Sequence, residues 1–321
     1  MRTSRQVLLH DAKKQGYKPE NLDKVYRLLD TFQQLMSVPF LKERLVLKGG
    51  TALNLFCFDS IPRLSVDIDL NYIGALDRGI MLKEKDILHE AISQVLQQNQ
   101  FERYRSPNHH AGGKMVWFYN SVLGQRGTLE IDINYLYRQP LWPINYRKPH
   151  IAGYENWQAP VLDIHEIAAG KLSALFDRRV SRDLFDAHYL MGKTEFDREK
   201  LRLAFTVYLA MTNIDLNILK PETIQYDLAD LKNRLLPVLH QHELPHARPA
   251  LQTWATKLLE ELRQRLATLL PLQPHQIDFI NHIRHTGEIK PELITDDTTL
   301  AEKIKRQPAL HWALQRHKFK N

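Results

Sequence analysis

Between Lys48 and Asp69 the chain reads KGGTALNLFCFDSIPRLSVDID, and this stretch constrains the fold more than any other. The apolar run ERLVLK at 43–48 meets Gly49 and Gly50 and then TALNLF, the pattern of a strand, a tight turn and a helix with Thr51 as N-cap. After Pro62, RLSVDIDLNYI sets Val66, Ile68 and Leu70 alternately with Asp67, Asp69 and Asn71, the period-two pattern of a strand. Side chains two apart on a strand share a face, so Asp67 and Asp69 point the same way while the three aliphatic residues pack on the core. Carboxylates that close repel unless a cation neutralises them, which makes the pair a seat for one or two divalent ions; two solvent-facing acids on an edge strand would show the same spacing. A Gly-Gly turn before a helix leaves backbone N–H groups at a positive helix end, a seat for phosphate oxygens. Lys48 and Arg63 flank this unit, either as phosphate ligands or as ordinary surface charges, and Ser65 shares the strand face of Asp67.

Around this unit, residues 20–36 space Leu22, Val25, Leu28, Leu29 and Phe32 as an amphipathic helix that Pro39 ends, and residues 83–99 also have helical period. Strand-like runs at 115–120 and 128–136, separated by Gly124 and Gly127, predict a hairpin or adjacent strands. In the second run Glu130, Asp132 and Asn134 share one face and Ile131 and Ile133 the other, offering Asp132 as a third metal-binding carboxylate or simply an exposed strand face. From Pro160 onward helical periods dominate, including IHEIAAGKLSALFDRR, DLFDAHYLM and DLADLKNRLLPVLH, broken by Pro221, Pro237, Pro245 and Pro271. The expected architecture is α+β: an N-terminal α+β domain over 1–150 and a mainly α-helical C-terminal domain over 151–321, joined by the proline-marked stretch 138–150.

Composition narrows the class. Of 321 residues 43% are hydrophobic and 25% charged, which excludes a disordered or fibrous chain. There is no run of eighteen apolar residues, and His10 and Asp11 break the first short apolar run, so neither a spanning helix nor a signal peptide is expected and the expected location is the cytoplasm. Cys57 is the single cysteine, so a metal would be held by oxygen or histidine. The net charge of +7 favours a polyanionic partner, and Lys303, Lys305, Arg306, Arg316, Lys318 and Lys320 concentrate it in a C-terminal segment that reads as phosphate-contacting or as a solvated helix face.

KGGTALNLF followed by RLSVDIDL resembles the first motif of the nucleotidyltransferase superfamily related to DNA polymerase β, in the branch of AbiEii/AbiGii-type toxins of bacterial toxin–antitoxin and phage-defence systems, where Gly-Gly replaces the more usual Gly-Ser. A second signature of that branch has its counterpart in KLSALFDRRVSRDLFDAHYL (171–190), and the resemblance covers roughly residues 40–190. It implies a polymerase β-like domain with a mixed sheet and a reaction in which an acceptor hydroxyl attacks the α-phosphorus of a nucleoside triphosphate and pyrophosphate leaves. The implied acceptor is tRNA or another cellular target and the implied partner a cognate antitoxin, with no membrane involved. Asp67 and Asp69 would hold Mg2+ or Mn2+ with Asp132 as third ligand. Lys48, the Gly49-Gly50 turn, Thr51, Ser65 and Lys171 would hold the triphosphate, and Lys171 and Asp186 would act with the acidic pair.

The second motif has a geometry of its own. In one straight helix Lys171 and Asp183 would stand about 18 Å apart along the axis, which predicts a break near 178–182. Ser181 would cap the new helix, and Asp183 in its first turn would share a face with Asp186. Lys171 and one of Arg178, Arg179 or Arg182 would face the leaving pyrophosphate; alternatively Asp183 is structural and Arg182 its ion-pair partner. Two rival readings stand. Arg182 and His188 bracket five residues, similar to the signature of metal-independent HEPN-type ribonucleases, although His188 also reads as a satisfied helix histidine. The other is a non-catalytic module that holds nucleic acid or antitoxin, with Trp254, Trp312 and Phe319 stacking on RNA or packing the core. His109-His110 and His282-x-x-His285 lack zinc-site spacing.

Overall fold

The β-rich half is built on alternation: wherever Ile or Leu alternates with Asp or Glu, a strand forms with its apolar side inward. The computed structural model describes residues 3–105, 112–178, 180–193, 195–245 and 250–318. Among them seven strands form one mixed sheet: β1 (Leu45–Leu47), β2 (Asp67–Tyr72), β3 (Glu102–Arg105), β4 (Gly112–Asn120), β5 (Arg126–Asn134), β6 (Asn145–Arg147) and β7 (Ala159–Val161), in the spatial order β3-β4-β5-β2-β1-β7-β6. The β2–β5 and β1–β7 pairs are parallel and the rest antiparallel. The expected hairpin is β4–β5, whose inner face buries Met115, Trp117, Leu129, Ile131 and Ile133.

Two compact units divide the chain. The first takes in residues 1–138, 143–162 and 237–244, the second 139–142, 163–236 and 245–321. The expected boundary at 150 falls inside the first unit, ahead of β7. In the first unit α1 (Arg5–Gln15) ends on Gly16, and α2 (Pro19–Leu35) buries Leu22, Val25, Leu28, Leu29 and Phe32, the stripe its spacing predicts. Pro39 does not end α2 but opens a separate turn, Pro39–Lys42, where its missing N–H costs nothing. A helical segment, α3, starts as Gly49–Thr51 and continues with wider pitch over Ala52–Cys57. Then α4 (Arg78–Gln98) starts on Asp77, whose side chain caps Ile80 N–H. The stretch 138–150 is not a bare connector, because it contains β6, paired with β7.

In the second unit α5 (Ile164–Asp177) packs on α6 (Ser181–Lys193) and α7 (Arg198–Ala210), and α8 (Ala250–Leu266) packs on α6. Shorter helices follow: α9 (Pro274–Asn281), α10 (Thr298–Lys305) and α11 (Pro308–Lys318). DLADLKNRLLPVLH, expected to have helical period broken at Pro237, is a series of short turns over 228–238. Its last residues pass into the first unit, where Leu239 bridges Arg63 and Val238 accepts from Leu64 N–H at 2.8 Å. Among the described residues no helix is long and apolar enough to cross a membrane. Of the basic C-terminal segment, Lys303 donates to the Leu141 carbonyl at 3.1 Å, while Lys320 and Phe319 lie outside the described residues, as do Arg179 and His109-His110.

Glu166, in the first turn of α5, is buried and accepts from Leu141 N–H at 3.1 Å, Trp142 N–H at 3.4 Å and the Tyr208 hydroxyl at 3.3 Å. Burial pushes its carboxyl up to about 7, against the pull of those donors. Its folded value thus lies above its unfolded one. The stability that goes with its protonated form is present in acid and is lost as pH rises from the ordinary carboxylate range through about 7. Glu166→Gln keeps an acceptor for both N–H groups without a titratable proton. We expect its melting temperature, matched to wild type near pH 5, to exceed wild type near pH 8; identical pH dependence of the two proteins would refute this assignment.

Candidate active site

The parallel pairing of β2 with β5 sets Asp67 beside Glu130 and Asp69 beside Asp132 as Cα partners. Between them Ile68 pairs with Ile131 and Leu70 with Ile133, all four at or near zero exposure on the core side. Four half-buried carboxylates therefore line the opposite face of two neighbouring strands. Val66, expected in the core, lies just ahead of β2 and is half-buried. Asn71 closes the row, buried despite its polar side chain.

The Gly-Gly turn brings a backbone against this row. Gly49 follows Lys48 with a φ of +71°, and a Cβ built on it would lie 2.5 Å from Asp69 Oδ2. Glycine is required here twice, for the left-handed conformation and for the room the carboxylate takes. The Lys48 N–H donates to the Asp69 carbonyl at 2.9 Å, which registers the turn on β2. Thr51 is not the N-cap: that position is Lys48, without a side-chain cap, and Thr51 already has helical dihedrals. Its fully buried hydroxyl lies 2.9 Å from Ser65 Oγ and 2.5 Å from the Asp67 carbonyl oxygen. Gly50 is buried as well, and its carbonyl accepts from Asn54 Nδ2 at 3.0 Å. In this state Thr51 and Ser65 fasten the helix to the acidic strand.

Cations reach the row from three elements. Lys24 of α2 places Nζ 3.9 Å from Asp67 Oδ1, Lys114 of β4 places Nζ 2.7 Å from Glu130 Oε2, and the charge of Lys48 acts on Asp132. Burial raises the Asp67 carboxyl above its ordinary range; Lys24 opposes this, Glu130 and Asp69 add to it. Asp132 is raised by burial too, with Lys48 opposing and Asp69 adding. For Lys114 burial pulls downward, but its bond to Glu130 and the fields of Asp67, Glu130 and Asp69 hold its ammonium above the ordinary value. Arg63, expected as a phosphate ligand or surface charge, is neither solvent-facing nor in the row: it is 2% exposed and donates to the Leu64 carbonyl at 3.0 Å. Lys24 and Lys114 were not legible as site residues, although the parity of Lys114 with Glu130 and Asp132 across the hairpin was a usable signal.

Hard oxygen donors suit magnesium, which takes one or two carboxylates and completes its shell with water and phosphate oxygens. Asp67 and Asp69, adjacent on one face of β2 and half-buried, fit that requirement. Among the described residues no three His, Cys, Asp or Glu side chains converge closely enough to hold an ion by themselves.

The second motif lies in the other unit. The predicted break is present: α5 ends at Asp177 and α6 starts at Ser181. Lys171 Nζ then sits 3.0 Å from Asp183 Oδ1 and 2.8 Å from Asp186 Oδ2, with all three residues buried. Arg178, not Arg182, is the ion-pair partner of Asp183, with Nε 2.7 Å from Oδ2. Burial would raise the Asp183 carboxyl, but Lys171 and Arg178 hold it below its ordinary value. Ser181 does not cap α6 through its side chain; its N–H donates to Asp230 Oδ2 at 2.8 Å and its hydroxyl to the Asp227 carbonyl at 3.3 Å. His188 Nε2 lies 2.8 Å from Glu261 Oε2, and its carbonyl accepts from Arg265 at 2.8 Å, the arrangement of a satisfied helix histidine. Trp254 packs on Phe185 with ring centroids 6.4 Å apart, whereas Trp312 is exposed. Lys171→Met would leave two buried carboxylates against each other, so we expect a loss of about 3–5 kcal/mol in denaturant unfolding. Recovery of most of that loss in Lys171→Met/Asp186→Asn, which keeps the bond of Arg178 to Asp183, would locate the cost in the stranded charge.

The family model described as the nucleotidyl transferase AbiEii toxin of type IV toxin–antitoxin systems matches residues 31–265. Among solved structures, MenT4, a nucleotidyltransferase toxin from Mycobacterium tuberculosis H37Rv, is similar at a TM-score of 0.59 and 17% identity, over 97% of this chain and 99% of that one. At this identity the likeness speaks for the fold. No curated protein matches the chain. With the Gly-Gly turn, the acidic strand and the lysine–aspartate signature all inside the matched span, the chain belongs to the AbiEii nucleotidyltransferase toxin family.

Proposed function

We propose that this toxin joins a nucleotide from a nucleoside triphosphate to a hydroxyl of an RNA acceptor, of which tRNA is the kind the family resemblance implies, with Asp67 and Asp69 as the seat of Mg2+ or Mn2+. The observation that supports this most is the half-buried acidic row against which Gly49 is wedged. In the reaction the acceptor oxygen bonds to the α-phosphorus, the bond from that phosphorus to its bridging oxygen breaks, and pyrophosphate departs with the electron pair. Magnesium, when bound, would screen the phosphates and acidify the acceptor hydroxyl. Asp67 and Asp69 orient it from one strand. The N–H groups at the start of α3 present positive dipole ends to phosphate oxygens. Asp132, whose affinity for a proton burial raises, stands beside Asp69 to receive the hydroxyl proton. Lys24, Lys48 and Lys114 supply positive charge where the triphosphate brings negative. Lys171 and Asp186 are assigned to the same reaction through the resemblance. The antitoxin is a partner of the type IV kind, and the cytoplasm is the proposed place of action.

Incubation of the purified protein with bacterial RNA, magnesium and each α-labelled nucleoside triphosphate in turn, resolved on a denaturing gel, tests the reading. Label should enter one RNA class with one preferred nucleotide, and chelator should abolish it. Asp67→Asn and Asp69→Asn should incorporate no label while melting within a few degrees of wild type; a folded Asp67→Asn protein with wild-type incorporation would sink the proposal. Gly49→Ala, strained by about 1–2 kcal/mol in a left-handed position and pressed on Asp69, should lose incorporation as well. Lys171→Arg keeps a cation between Asp183 and Asp186, so retained fold with lost incorporation is the expected result if Lys171 serves the reaction.

A further inference from the structure

The face of the sheet that carries the acids continues past them. In the β4–β5 register Lys114 lies opposite Asp132, Val116 opposite Glu130 and Phe118 opposite Thr128, so Phe118 stands on the same side as the carboxylates. The Lys114 ion pair with Glu130 confirms that these side chains share one surface. The pairing of β3 with β4 slips between Arg103 and Arg105, and Tyr104 is the extra residue. Its neighbour Arg103 turns to the other side, over the Trp117 ring and onto Ser93. Tyr104 is 65% exposed, and its ring centroid lies 4.7 Å from that of Phe118. The Arg126 guanidinium sits 4.0 Å above the same Phe118 ring and pairs with Glu102. A bulge that turns a tyrosine outward, onto a second aromatic ring already covered by a guanidinium, is an arrangement the core has no use for.

We propose that Tyr104, Phe118 and Arg126 form a stacking shelf for unpaired bases near the reacting end of an RNA acceptor. The inference rests on the transfer reading above for the identity of the acceptor, and its geometry adds the reason. Along β5, four residues separate Thr128, opposite Phe118, from Asp132, roughly 13 Å at the rise of a strand. An acceptor hydroxyl must come to a row of carboxylates that repels the phosphates of the same strand. Bases present neutral faces, and stacking on aromatic rings and guanidinium planes holds them without adding charge next to that row. The exposed Arg126 at this end of the sheet suits phosphates kept away from the acids.

Fluorescence anisotropy with a short fluorescein-labelled single-stranded RNA of mixed sequence, without nucleoside triphosphate, separates this binding from transfer. Tyr104→Ala should weaken binding roughly five- to a hundredfold, the range of one lost base stack, and by the same factor at low and high salt. Tyr104→Phe should bind as wild type. Arg126→Ala should weaken binding and lower the slope of log affinity against log salt by about one. Binding of nucleoside triphosphate with magnesium, followed by calorimetry, should be unchanged in Tyr104→Ala, and melting curves check that the exposed substitution leaves the fold intact. RNA binding unchanged in folded Tyr104→Ala, or absent from wild type, would overturn the shelf. Loss of binding to the purified cognate antitoxin on Tyr104→Ala, with RNA binding unmoved, would overturn it in favour of a protein interface. Absence of transfer by a wild-type protein whose RNA binding depends on Tyr104 would instead refute the proposed function and leave the shelf standing.

Discussion

Like-charge repulsion on a half-buried surface organises the first unit. The parallel register of β2 and β5 aligns two pairs of acids side by side, and burial raises the cost of ionising Asp67 and Asp132. Parallel neighbours cannot be joined by a tight turn, and the chain meets this by inserting α4, β3 and β4 between β2 and β5. The close approach of Gly49 to Asp69, the Thr51 hydroxyl on β2 and the lysines drawn in from α2, the N-cap position of α3 and β4 all follow from holding this row in place. Half-buried carboxylates packed this closely suit a charged ligand.

The second unit treats its acids the opposite way. Asp183 and Asp186 are more deeply buried than any acid of the β2–β5 row, yet Lys171 touches both and Arg178 adds a second cation, so two negative charges meet two positive ones. Such a network is costly to break. Its structural effect is to pin the start of α6 to the end of α5. The contrast explains why a lysine–aspartate motif and an acidic strand, equally conspicuous in sequence, differ so much in electrostatic state.

What was legible in the sequence depended on range. Period-two and 3.6 patterns located β2, the β4–β5 hairpin and the stripe of α2, and the apolar run ahead of Gly49-Gly50 located β1, since each signal is contained within one element or its flank. The break before Ser181 was legible because helical rise alone forbids Lys171 and Asp183 from meeting otherwise. β3, β6 and β7, three or four residues each, are too short to show a period. Arg63 reads as a surface charge because the chain that covers it arrives from residues 237–244. Arg178 displaced Arg182 as the partner of Asp183 because Arg178 lies in the break, where its backbone is extended, and its side chain can turn back. Lys24 was illegible because helical spacing identifies a polar face without saying which strand that face will meet.

A chemical gradient runs along the open sheet face, from carboxylates through the Lys114–Glu130 pair to aromatic rings at the edge. An edge strand with exposed rings invites pairing with other chains, a hazard that proteins blunt with bulges and charge. β3 has both, with Glu102, Arg103 and Arg105 exposed around the irregularity. Those devices would work as well with a small polar residue at 104. A tyrosine there keeps an apolar surface that edge protection alone would remove, and its contact with Phe118 widens that surface. Because the acids repel phosphates that arrive without a divalent ion, the aromatic end of the gradient is the part of this face from which a polyanion can be held while its hydroxyl reaches the charged end.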